Sequence, residues 1–220
     1  MQKPIIKTTA DGSDTLYVPE IDESYHSTNG AVQESMHIFI NDGLRSCTKK
    51  SIKVLEIGFG TGLNAFLTLL EAENANKTIF YTALELYPVD VSEAIKLNYP
   101  EWVDNTKKAL FENMHYSQWN EIVEITDHFT LIKLLTDFTI ADFSEKFDVI
   151  YFDAFSPEKQ PEMWSEELFR KLYDHAEEGA ILTTYCAKGI VRRAMQSAGF
   201  SVERLPGPAG KREILRARKL

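Results

Sequence analysis

The chain has 220 residues, 44% of them apolar and 26% charged, with a net charge of −9; this suffices for one core of ordinary size, and a single domain over 1–220 is expected. No stretch approaches the ~18 apolar residues of a membrane span, the start Met1-Gln2-Lys3-Pro4-Ile5 lacks the apolar core of a leader, and Cys47 and Cys186 form no Cys-x-x-Cys. Reduced thiols and a cytoplasmic location are expected, and the scattered histidines (His26, His37, His115, His128, His175) lack ligand spacing, so no metal is expected.

Residues 1–28 are polar and turn-rich, with Asp11-Gly12-Ser13-Asp14 as a loop. Asn29 stands where it can cap a helix with the apolar side Val32, Met36, Phe39 and Ile40. Ile52–Ile57 reads as a strand and Leu63–Glu73 as a helix, joined through Glu56-Ile57-Gly58-Phe59-Gly60-Thr61-Gly62. Glycines in such a turn let the backbone approach a ligand, and the helix start adds free N–H donors. Leu63 stands where a dinucleotide fingerprint has its third glycine, and the Gly-Lys-Ser/Thr of a phosphate loop is missing. Glu56, two positions before Gly58, suits a ligand with a positive group, such as an ammonium or a sulfonium. S-adenosyl-L-methionine has both.

The next strand, Ile79–Glu85, ends in a carboxylate 23 residues after Gly62. An acid at that distance suits the ribose hydroxyls of an adenosine-bearing ligand; on these two features alone NAD stays open. Val89–Leu97 and Asn105–Phe111 read as helices separated by Tyr99-Pro100. Ile122–Ile125 and Leu131–Leu135 read as two short strands or as a strand and a helix. Phe147–Phe152 is a buried strand, Glu166–Ala176 a helix, Ala180–Thr184 a strand, and Ile190–Ala198 a helix stopped by Gly199. Ser201–Arg204 and Glu213–Arg216 make an antiparallel pair around Pro206-Gly207-Pro208. The alternation predicts an α/β, Rossmann-like fold: a mostly parallel sheet covered on both faces, with an antiparallel C-terminal strand pair. Residues 51–220 form its core and 1–50 an extension packing near the site. Ligands belong at the strand C-termini near the switch in strand order, where Glu56–Gly62, Glu85, Asp137 and Asp153 fall.

The run Phe147–Pro157 passes from buried strand into Asp153-Ala-Phe155-Ser-Pro157. An acid at a strand tip, followed by an aromatic and a proline-fixed loop, can hold an amine in line with a methyl donor and accept its proton. Phe155 suits stacking on a planar base. Charge is unevenly spread: Lys188, Arg192, Arg193, Arg204, Lys211, Arg212, Arg216, Arg218 and Lys219 face only Glu203 and Glu213 in the C-terminal segment. A local basic patch on an acidic protein can dock a phosphate backbone, since screening confines each field to about 8–10 Å.

Together, Glu56-x-Gly-Phe-Gly-Thr-Gly-Leu-Asn64, Asp153-Ala-Phe-Ser-Pro157-x-Lys159-x-Pro161-x-Met163-Trp164 and Gly210-Lys211-Arg212-Glu213 closely resemble the MnmC/MnmD-type tRNA methyltransferases. Tyr25-His26-Ser27 with Gly30 and Glu34 is similar to that family's N-terminal signature, so the resemblance covers roughly residues 12–215. It implies a class I S-adenosyl-L-methionine-dependent fold. It also implies methylation of the aminomethyl group on carbon 5 of the wobble uridine, usually 2-thiolated, in the tRNA anticodon arm. By this resemblance Glu56, Gly58, Gly60, Gly62 and Asn64 serve the methionine end of the cofactor, Glu85 the ribose and Asp137 the adenine amino group. Asp153 is the base or amine-orienting group. Tyr25, Phe155, Pro157, Lys159, Lys211 and Arg212 fall to the substrate, and Trp164 to loop shape or packing. Many relatives carry a fused flavin-dependent domain; this chain has no second dinucleotide motif and resembles the stand-alone form. Two other readings stay open from the residues: a methyltransferase of a small-molecule or protein amine, and a non-catalytic nucleotide-binding module or oxidoreductase. The last is disfavoured by the missing glycine and by the lack of a Tyr-x-x-x-Lys relay.

Overall fold

A computed structural model describes residues 3–220. The polar N-terminal stretch, expected to be turns, contains three short strands: β1 (Ile5–Thr8), β2 (Asp14–Val18) and β3 (Glu23–Ser24), paired antiparallel in that order. Polar residues are buried here because each finds a backbone partner. The Ser13 hydroxyl accepts from Ala31 N and Val32 N, both at 3.1 Å. Ser13 thereby satisfies the start of α1 (Ala31–Ser35) from a distant loop. Asn29 is therefore not the cap; Gly30 holds that position, and the Asn29 amide donates to Ser27 instead. The helix continues as a π-helical turn, Met36–Asn41.

The core then alternates strand and helix: β4 (Ser51–Ile57), α2 (Leu63–Ala75), β5 (Thr78–Glu85), α3 (Val91–Ala94), α4 (Tyr99–Val103) and α5 (Lys108–Tyr116). The proposed Val89–Leu97 helix shrinks to α3 because the Asp90 carboxylate caps it, accepting from Ser92 N at 2.8 Å. Tyr99-Pro100 does not separate helices but opens one: Pro100 lies in the first turn of α4, where no N–H is needed. The ambiguous stretch resolves as two antiparallel strands, β6 (Ile122–Thr126) and β7 (Phe129–Leu135). β8 (Phe147–Phe152), α6 (Glu166–Asp174), β9 (Ala176–Thr184), α7 (Gly189–Ser197), β10 (Ser201–Pro206) and β11 (Glu213–Arg218) complete the chain. Ala176, expected at the end of a helix, already begins β9.

The large sheet has the order β10-β11-β9-β8-β4-β5-β7-β6. The five strands from β9 to β7 are parallel; β11 and β6 run antiparallel to them at the two edges, and β10 pairs antiparallel with β11 outside it. Succession reverses between β4 and β8, so the binding crevice of this topology lies at their C-terminal ends. One face buries Val54, Tyr81 and Tyr151 with α2 residues such as Phe66. The other buries Leu55, Ile150 and Phe152 with Phe169 of α6 and Val191 of α7. Each such side chain contributes about 1.5–3 kcal/mol by leaving water.

Candidate functional site

Three glycines shape the turn after β4. Gly58 has φ +93°, and a Cβ there would stand 2.9 Å from the Asp153 carbonyl oxygen, so the ends of β4 and β8 meet backbone to backbone. Gly60 has φ +51°, and its Cβ would meet the Tyr25 ring at 2.9 Å. Tyr25, just after β3, thus lies directly over the turn, edge-on to Phe155 with ring centroids 5.2 Å apart. Gly60 N–H donates to Glu85 Oε2 at 2.9 Å, and Tyr87 N–H to Glu85 Oε1 at 2.8 Å. The two strand-end motifs are therefore one structure.

Around this turn opens a cavity of ≈ 510 Å³, within the range of small-molecule sites. Tyr25, Gly58, Gly60, Asn64, Glu85, Asp137, Asp153, Phe155 and Lys211 line it together. Asp137 keeps one oxygen on Thr139 N at 2.8 Å. Carboxylates outnumber cations on the wall: Asp22, Glu23, Glu34, Glu85, Asp137 and Asp153 against Lys7 and Lys211. Such a lining favours ligands that bring positive charge.

Asn64 ties the cavity to the core. Its amide nitrogen donates to Glu56 Oε1 at 3.0 Å and to Asp153 Oδ2 at 2.8 Å. Glu56 is wholly buried and does not line the cavity. It follows Ile52 and Val54 at two-residue spacing, so it turns to the face beneath α2. Burial raises its carboxyl well above the usual range, with Asn64 opposing and Asp153 adding to the rise. Glu56 thus lies under the floor, where burial favours its uncharged form, and is not the exposed charge expected at the cofactor's positive end. Asp153 faces the cavity with its pKa pushed up to about 7, chiefly by burial; Asn64 and Lys211 oppose the rise and Glu34 adds to it.

Other expected residues lie elsewhere. Gly62 packs on His115, whose Nε2 a Cβ would meet at 2.9 Å, and does not line the cavity. Pro157 and Arg212 line an adjoining groove of ≈ 390 Å³, which shares Tyr185 and Lys211 with the cavity. Lys159 is exposed and lines neither, because the turn closed by its N–H on Ser156 O (2.8 Å) points it outward. Lys211 is turned inward, with Nζ 2.6 Å from Glu34 Oε1 and 4.1 Å from the centre of the Tyr185 ring. Trp164 anchors the loop: it is buried, stacks edge-on with Phe152, and donates from Nε1 to Phe155 O at 2.9 Å.

The cavity also contains residues that sequence reasoning did not place there: Glu23, His26, Glu34 and Tyr185. His26 is buried against Thr61 Oγ1 at 2.8 Å, and burial lowers its pKa to about 4, so it stays neutral. Glu23 reaches Ser156 Oγ at 3.2 Å. A signal existed for two of them, since His26 and Glu34 belong to the run beginning Tyr25-His26-Ser27.

A parallel sheet with this crevice, glycine turn and acid-lined cavity defines a nucleotide-cofactor enzyme of the class I methyltransferase type. Residues 89–220 match the family described as S-adenosyl-L-methionine-dependent methyltransferase, and the chain belongs to it. Among individual proteins, it is 34% identical to the tRNA 5-methylaminomethyl-2-thiouridine biosynthesis bifunctional protein MnmC of Campylobacter fetus, over 93% of this chain and 34% of that protein. Against the protein of the same name from Magnetococcus marinus, identity is 30% over 92% of this chain and 32% of the other. The chain thus spans about a third of the length of these relatives. Its fold is similar to the crystal structure of MNMC2 from Aquifex aeolicus, with TM-score 0.79, 24% identity, and coverage of 99% of this chain and 71% of that one.

Proposed function

We propose that this enzyme methylates the aminomethyl nitrogen of 5-aminomethyl-2-thiouridine at the wobble position of tRNA. The observation that carries the reading is Asp153: a cavity-facing acid at the switch point, bonded through Asn64 and with a pKa of about 7. The names of the Campylobacter and Magnetococcus relatives, which concern 5-methylaminomethyl-2-thiouridine in tRNA, support the same nucleoside. A cytoplasmic location accords with a tRNA substrate, and among the described residues no helix is long and apolar enough to cross a membrane. We take the N-terminal sheet as part of the catalytic unit, because Asp22, Glu23 and Tyr25 line the cavity.

The residues present fit the cofactor. Gly58 and Gly60 bring the backbone of the turn to the cavity wall, Glu85 ends β5 and Asp137 follows β7 beside it, and the buried Asn64 Oδ1 has no partner among the described residues. These residues would hold S-adenosyl-L-methionine, which when bound supplies an activated methyl group. The chain's own task is alignment and proton removal. Asn64 occupies Asp153 Oδ2, leaving Oδ1 to accept the amine's proton. A pKa near neutrality suits that transfer, because the acid is ionised often enough to act yet basic enough to take a proton. Phe155 and Tyr25, packed edge to face, offer an aromatic wall for the target base. The acidic lining draws the cationic amine in and excludes an anionic substituent.

The test is incubation of the protein and S-adenosyl-L-methionine with tRNA carrying the aminomethyl nucleoside, followed by nucleoside mass spectrometry. Gain of one methyl group on that nucleoside is the expected result. Methyl transfer only to a protein or metabolite amine would overturn the tRNA reading.

A further inference from the structure

Both ends of the chain meet at one ion pair inside the cavity. Glu34 sits on α1 and is 7% exposed; its Oε2 accepts from Ser27 N at 2.8 Å, while Oε1 holds Lys211 Nζ at 2.6 Å. Lys211 belongs to the turn between β10 and β11, and its ammonium stands over the Tyr185 ring at 4.1 Å. Tyr185, just after β9, donates its hydroxyl to Ala154 O at 2.9 Å, the carbonyl next to Asp153. The adjoining Gly210 has φ +83° and packs so tightly on the Asn29 side chain that a Cβ would overlap it. Hairpin, N-terminal helix and the end of β8 are thus locked together around Asp153.

We propose that Lys211, held between Glu34 and the Tyr185 ring, is a positioning residue for methyl transfer: it balances the charge around Asp153 and fixes the strand-end loop that carries it. This rests on the amine-methylation reading but departs from a role for Lys211 in gripping phosphate. The groups around Asp153 are Asn64 from α2, Glu56 from β4, Tyr81 from β5, Glu34 from α1, Tyr185 after β9 and Lys211 from the hairpin. Among them Lys211 is the one cation. Without it Asp153 would face Glu34 with no cation beside it, and a like-charged neighbour disfavours the ionised form that accepts the proton. The pair with Glu34 also keeps the ammonium from drawing Asp153 into a salt bridge that would depress its basicity. The directions agree, with Lys211 lowering and Glu34 raising the Asp153 pKa.

The experiment has two arms on the full chain. In the first, aspartate is labelled with 13C at the carboxyl carbon, and Asp153, assigned by its loss in D153N, is titrated without tRNA. The midpoint is expected to rise in Lys211→Met, fall in Glu34→Gln and return toward wild type in Lys211→Arg. An unchanged midpoint in Lys211→Met overturns the proposal, and that variant suffices should Glu34→Gln not fold. In the second arm, kcat is measured against pH with aminomethyl tRNA. Lys211→Met is expected to be on the order of 10-fold slower at pH 6 and close to wild type at pH 9. A loss of kcat equal at both pH values, or a change confined to the KM for tRNA, would return Lys211 to a structural or phosphate-binding role. Failure of the wild type to methylate tRNA would sink the substrate reading alone, because the NMR arm needs no substrate.

Discussion

At the scale of single residues, the proposed chemistry turns on Asp153 and the amide that holds it. Replacing Asp153 by Ala removes the proton acceptor but leaves the glycine turn, Glu85 and Asp137 in place. Turnover is expected to fall on the order of 10²–10⁴-fold with S-adenosyl-L-methionine affinity nearly kept, because proton transfer acts in the transition state. Single-turnover kinetics beside titration calorimetry separates the two; near-normal turnover would make Asp153 structural. Asn64 acts through it. The bond from Asn64 favours the ionised carboxylate, so its loss in Asn64→Leu must push the Asp153 pKa above about 7. A base works only when ionised, so the acidic limb of kcat/KM should shift to higher pH, with little change on the alkaline side. The variant also takes from the buried Glu56 the amide that donates to it, at about 1–3 kcal/mol, which thermal unfolding would register. An acidic limb that stays put would count against Asp153 as the titrating group.

Elements explain what the chain made legible and what it hid. The largely buried parallel strands β4, β5 and β8 are rich in β-branched and aromatic residues, and the glycine turn and Asp153 directly follow β4 and β8. Strands β1 to β3 are short and polar; they form because hydroxyls such as Ser13 satisfy distant backbone groups, which no local pattern encodes. Glu56 was misread in its contacts although its spacing from Val54 already placed it under α2, while Glu34 entered the cavity only through tertiary packing. The contact of the segment after β3 with the turn after β4 gives an element-level prediction. In Gly60→Ala, the positive φ and the Tyr25 ring both resist the new Cβ. Roughly 1–3 kcal/mol of stability and much cofactor affinity should be lost. Adding Tyr25→Ala should restore part of the stability by removing the overlap, while the backbone strain remains. Strict additivity of the two changes in unfolding experiments would mean that the ring does not press on the turn.

For the whole molecule, the proposed tRNA substrate raises the question of where an acidic protein meets a polyanion. The basic C-terminal segment seemed a single phosphate-binding stretch, but folding uses much of it internally. Arg204 pairs with Glu213 at 3.2 Å, Arg216 with Glu203 at 2.7 Å, Lys188 with Glu158, and Lys211 with Glu34. Lys219 is buried, donating to Tyr173 O at 3.0 Å. The hairpin pairs stand within the segment itself, but Glu158 in the loop after β8 and Glu34 in α1 reach it only through the fold. Arg193 and Arg212 are exposed and form no ion pair among the described residues; Arg212 also lines the groove that adjoins the cavity. We propose these two as contacts for an incoming backbone. The double variant Arg193→Ala/Arg212→Ala should weaken tRNA binding and flatten the slope of log affinity against log salt by about 1.4–1.8, the value for two neutralised phosphates. Arg204→Ala, whose charge is already spent on Glu213, should leave that slope nearly unchanged. Filter binding across a salt series would measure both, with cofactor affinity as the control. Equal slopes for wild type and the double variant would move the tRNA contact to another face, and a flatter slope in Arg204→Ala would mean that its ion pair opens on binding.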